Sequence, residues 1–103
     1  MTNNHKYKYM VVFKLPTFVD EEFLELIPKQ RILIREFFNK NILQSYSLSN
    51  DNRRIWAVFL GISFEKVTEY VKTLPLSKYM NCEIRELMSD AHSPFELSRY
   101  SVN

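Results

Sequence analysis

Three observations on the sequence predict an α+β fold. Apolar residues alternate with period two in four short segments and recur at helical spacing in two longer ones. The segments run in the order β-α-β-β-α-β. The second and third strand segments are joined by the short turn Asn50-Asp51-Asn52, which makes them an antiparallel hairpin. That order is the ferredoxin-like arrangement, two split βαβ units with a four-stranded antiparallel sheet and both helices on one face. The 103 residues fit a single domain. It is expected over residues 1–88, with the more polar 89–103 as a tail or arm.

The first strand is predicted over Lys6 to Leu15. Tyr7, Tyr9, Val11, Phe13 and Leu15 share one face, and Lys6, Lys8, Met10, Val12 and Lys14 share the other. Pro16 ends it, because proline has no N–H for the ladder. A helix is expected from about Asp20 to Asn39. Asp20 is a good N-cap, and Glu21 and Glu22 suit the positive end of the helix dipole. Phe23, Leu24, Ile27, Ile34, Phe37 and Phe38 form its apolar stripe. Pro28 interrupts this pattern and is expected to kink the helix or to open a second one.

Ile42 to Ser49 reads as the second strand and Arg53 to Ile62 as the third. Ser63 is an N-cap for a short helix through Thr73, with Phe64, Val67, Tyr70, Val71 and Leu74 on its apolar side. A connector from Pro75 to Met80 follows, then a fourth strand over Asn81 to Met88. Phe95 to Tyr100 is either a final helical turn or part of a loose tail.

Composition narrows the function classes. The chain is 46% hydrophobic and 25% charged, which is a globular balance. A net charge of +2 gives no case for nucleic acid or for an anionic membrane surface. Gly61 is the one glycine in the chain, so Gly-rich phosphate loops are excluded. A single cysteine, Cys82, excludes an internal disulfide and reads as a structural thiol. No apolar run reaches membrane-spanning length, and the first ten residues lack a signal-peptide core. A cytoplasmic protein is the resulting expectation.

Aromatics make up 15% of the residues, and the third strand is apolar on both faces. Trp56, Val58 and Leu60 lie on one face, and Ile55, Ala57 and Phe59 on the other. With both helices on one side of the sheet, the other apolar face needs a cover. The expected cover is a second copy of the chain, giving a homodimer of the α+β barrel type.

Several stretches resemble the muconolactone isomerase family over about Met10 to Pro94. Leu74-Pro75-Leu76 with Tyr79-Met80 is similar to that family's LPLFPYM run before the last strand. Val12-Phe13-Lys14-Leu15-Pro16 is similar to its VKLP, Ser63-Phe64-Glu65-Lys66-Val67 to its SVEAL helix start, and Ala91-His92-Ser93-Pro94 to its HPS tail. The resemblance implies small ferredoxin-like subunits that form dimers or larger rings. It also implies cofactor-free proton transfer on a small carboxylate or lactone. Pro28-Lys29-Gln30-Arg31-Ile32 stands where the family carries the acidic run ADEKE, and Leu43 and Ser45 stand in place of a tryptophan-rich second strand. No catalytic residue is therefore carried over.

The candidate residues each have a plainer reading. Tyr79 can donate to a ligand oxygen or pack the connector on a helix. Arg53 and Arg54 can bind a carboxylate or form a solvated hairpin end, and at most one of them faces a given cleft. His92 is a candidate acid or base. His5 lies near the terminus, and neither histidine is placed to ligate haem, so a cofactor-free or haem-using monooxygenase ranks last. Glu83 and Arg85 share a face, either as a buried network at a dimer face or as a solvated ion pair. No metal and no organic cofactor are expected. The partners expected are a second copy and a small organic acid. The alternative function is a non-catalytic ligand-binding or oligomeric module of the same fold.

Overall fold

The computed structural model describes residues 6–88. His5, His92, Phe95 to Tyr100 and the tail over 89–103 lie outside the described residues. The elements are β1 (Tyr7–Lys14), α1 (Glu21–Asn39), β2 (Leu43–Leu48), β3 (Arg54–Gly61), α2 (Phe64–Lys72), a 3-10 turn (Ser77–Tyr79) and β4 (Asn81–Glu86). The strands form one sheet in the order β2-β3-β1-β4, and all neighbours are antiparallel. This is the ferredoxin-like α+β fold.

Strand alternation sorts the side chains as the sequence implies. Tyr9, Val11 and Phe13 of β1 and Ile55, Ala57 and Phe59 of β3 are buried on one face. Phe23, Ile34 and Phe37 of α1 and Val67 and Val71 of α2 complete the same core. Met10, Val12, Trp56, Val58 and Leu60 lie on the opposite face, and among the described residues no helix covers them.

α1 begins where Asp20 Oδ1 accepts the Phe23 N–H at 2.9 Å. It runs unbroken through Pro28, so no second helix opens there. Pro28 forfeits a bond to the Leu24 carbonyl, but both residues are exposed, and water can serve that oxygen. The buried line is Phe23, Gln30, Ile34 and Phe37. Leu24 and Phe38 sit one residue further on, about 100° around the axis. They turn outward and are 54% and 40% exposed, contrary to the expected stripe. The C-terminus closes with Asn41 at φ 59°, Asn41 N–H donating to the Phe38 carbonyl and Ile42 N–H to the Phe37 carbonyl. This pair of bonds is a Schellman motif with asparagine in the place usually held by glycine.

β2 pairs with β3 with one irregularity between Leu43 and Ser45, where Gln44 is the extra residue. In the β2–β3 turn, Asn52 takes a left-handed conformation and Asp51 Oδ1 accepts the Arg53 N–H at 3.0 Å. α2 starts at the predicted cap, with Ser63 Oγ accepting from Lys66 N at 3.0 Å. Phe64, expected on its buried side, is exposed. β4 stops at Glu86, opposite Tyr9 of β1, earlier than expected. Met88 is exposed.

Gly61 ends β3 directly beneath α2. A Cβ built there would lie 2.6 Å from Val67 Cγ2, and Val67 is fully buried and β-branched, so it has little room to turn away. Gly61→Ala is expected to destabilise the fold by about 1–3 kcal/mol in urea unfolding. Adding Val67→Ala should make the Gly61→Ala change cost less than it does alone. An equal cost in both backgrounds would refute the contact.

Candidate functional site

A cleft lies between α1 and the β2–β3 end of the sheet. It has a volume of about 350 Å³, within the small-molecule range of about 300–1,000 Å³. Leu15, Val19, Phe23, Ile27, Leu48, Ile55 and Leu76 make it largely apolar, and Gln30, Arg31, Tyr46 and Asn52 supply its polar atoms. A second cavity of about 330 Å³ shares Gln30, Arg31 and Tyr46 and adds Ile34, Arg35 and Phe38.

Gln30 stands where both cavities meet. It is 4% exposed and is the one buried polar residue among those described. Its Oε1 accepts the Leu76 backbone N–H at 3.0 Å, and its Nε2 donates to the Tyr46 hydroxyl at 3.3 Å. The backbone N–H can only donate, so Oε1 must face it and the NH2 must face Tyr46. Tyr46 oxygen therefore accepts, and its own proton remains to be donated. Among the described residues no acceptor takes that proton. Burial pushes the Tyr46 pKa up, against a smaller opposing effect of the Gln30 bond. At neutral pH Tyr46 is a protonated donor at the cavity wall.

The sequence candidates fall elsewhere. Tyr79 lies on the connector, where its ring meets Phe23 edge-on at 5.3 Å. Its hydroxyl donates to Glu22 Oε1 at 2.5 Å, with Asp20 Oδ1 at 3.3 Å. Lys78 Nζ holds the other Glu22 oxygen at 2.9 Å. The Tyr79 and Lys78 bonds lower the Glu22 pKa, and the Glu22 bond raises that of Tyr79. Tyr79 thus staples the connector to the start of α1 and does not line the cleft.

Arg53 and Arg54 are exposed at the hairpin end, and neither lines either cavity. Glu83 and Arg85 approach to 4.0 Å on β4 with both side chains well exposed, a pair that contributes little in the single chain. Cys82 is free, and partial burial of its sulfur raises the thiol pKa, which disfavours a thiolate nucleophile. Among the described residues no cluster of His, Cys, Asp and Glu can hold a metal ion. No helix of the described residues is long and apolar enough to cross a membrane.

Comparison with solved structures shows the fold. A crystal structure of muconolactone isomerase matches with a TM-score of 0.68 at 23% identity, covering 84% of this chain and 96% of that one. A NIPSNAP family protein of unknown function from Agrobacterium tumefaciens matches with a TM-score of 0.52 at 14% identity, covering 90% and 96%. A putative antibiotic biosynthesis monooxygenase from Nitrosomonas europaea matches with a TM-score of 0.51 at 10% identity, covering 91% and 97%. The shared property is the ferredoxin-like fold. No family model matches the chain, and no curated protein matches it in sequence.

Gln30, Arg31, Arg35 and Tyr46 were not among the site residues the sequence suggested. One signal for Gln30 was present: an amide on the helical line that joins Phe23 to Ile34 and Phe37. Gln30→Met, which keeps the length but removes the acceptor, leaves the Leu76 N–H buried without a partner. The expected loss is about 1–3 kcal/mol in urea unfolding. A change within error would show that water replaces the amide.

Proposed function

We propose that the chain binds a small, mostly apolar organic acid or lactone in the cleft between α1 and the β2–β3 hairpin. The observation that carries this reading is the Tyr46 hydroxyl: a protonated donor, held by Gln30, with no acceptor among the described residues, in a largely apolar cavity. Such a donor suits a ligand carbonyl or carboxylate oxygen. Arg31, at the same wall, suits a negative charge. A buried amide that orients the donor at no cost on binding is the usual construction of a preformed site.

A second reading makes the site an isomerase that works by proton transfer without a cofactor. Tyr46 favours it, since an acid must return the proton to the rearranged lactone. The base such a reaction needs is not among the described residues that line the cleft.

Titration calorimetry with muconolactone tests the site, and a coupled assay of the same mixture tests turnover. Tyr46→Phe is expected to weaken binding about five- to tenfold, the loss of one hydrogen bond, and to cost about 1–3 kcal/mol in urea unfolding, because the buried Gln30 amide loses its acceptor. Equal affinity in the variant would remove Tyr46 from the site. Turnover that survives Tyr46→Phe would remove it as the acid.

The uncovered sheet face supports a homodimer in which Met10, Val12, Trp56, Val58 and Leu60 pack against their copies. Light scattering after size exclusion at micromolar concentration should give twice the chain mass, and Trp56→Glu should return the monomer. A monomer for the unaltered chain would sink this reading.

A further inference from the structure

The second cavity, which shares Gln30, Arg31 and Tyr46 with the first, differs from it in charge. Arg31 and Arg35 both line it, and Phe38 and Ile34 supply its apolar wall. They are four residues apart on α1, so their side chains share one helix face. Two cations so placed repel each other, and among the described residues no carboxylate pairs with either. The nearest acid in sequence, Glu36, pairs with Lys40 at 3.9 Å instead. An unrelieved cation pair beside a cavity is an arrangement that an anion would stabilise, and guanidinium forks match a carboxylate in geometry.

We infer that the two cavities are subsites for one elongated ligand, a carboxylic acid with an apolar chain. Its chain lies among Phe23, Ile27, Leu48 and Ile55, and its carboxylate lies between Arg31 and Arg35. Tyr46, which lines both cavities, donates to a ligand oxygen at the junction. The inference rests on the proposed ligand site at Tyr46 and adds the class of ligand and the residues that select its charge. A compact neutral lactone would fill the first cavity only and leave the arginines unpaired.

Octanoate and octanamide separate the two ideas, because they share a chain and differ in charge. Calorimetry on the full chain is expected to give octanoate about a tenfold advantage, shrinking as salt rises. The Arg31→Gln, Arg35→Gln double variant should lose that advantage and bind octanoate and octanamide equally. Both changes are on exposed side chains, and unchanged thermal unfolding confirms the fold. Equal binding of acid and amide to the unaltered chain overturns the inference, as does a preference that survives in the double variant. If muconolactone binds and neither straight-chain probe does, the inference fails and the proposed site stands. If none of the three binds, both fail.

Discussion

One buried amide ties this fold to its candidate site. Gln30 joins α1 to the edge strand β2 through Tyr46, and to the connector before β4 through the Leu76 N–H. An amide among apolar neighbours is tolerated only with its hydrogen bonds made. Here both bonds are long-range, so they hold the helix at one distance from the sheet edge. That distance leaves a cleft in place of a filled core, and the same amide turns the Tyr46 proton outward. Structure and binding chemistry meet in one side chain.

The connector beside it has a structural task that explains its sequence. Leu74 and Leu76 are core residues, and Tyr79 bonds to Glu22 at the start of α1. Leu76 supplies the N–H that orients Gln30. The stretch that most resembles muconolactone isomerase therefore supplies one wall residue of the cleft, Leu76, and otherwise positions it, and its likeness speaks for the fold. Two of the polar residues at the cleft, Gln30 and Arg31, come from Lys29 to Ile32, the stretch where the resemblance to the acidic run breaks down.

Much of the fold was legible. Period-two alternation in β1 and β3 separates Val11, Phe13, Ala57 and Phe59 from Val12, Trp56 and Val58, and burial follows that division. The caps Asp20 and Ser63 and the Asn-rich turn act where the residues imply. The departures have local causes. Pro28 stays inside one helix because its lost bond faces solvent. Leu24, Phe38 and Phe64 are apolar yet lie off the buried lines, and hydrophobicity alone does not report rotation about a helix axis. The site was less legible. Tyr79, Arg53 and Arg54 are conspicuous as sequence features, but none of them lines the cleft.

By itself the sequence determined the order of elements and which residues share each face of the sheet. These depend on local periodicity and on caps, which act over a few residues. Only the tertiary structure decided that Gln30 meets Tyr46 and Leu76, partners separated by 16 and 46 residues. It also decided that Arg31 and Arg35 border the same cavities. Such pairings depend on how far α1 stands from the sheet and how it is rotated, which side-chain packing across the whole core sets and no single segment encodes.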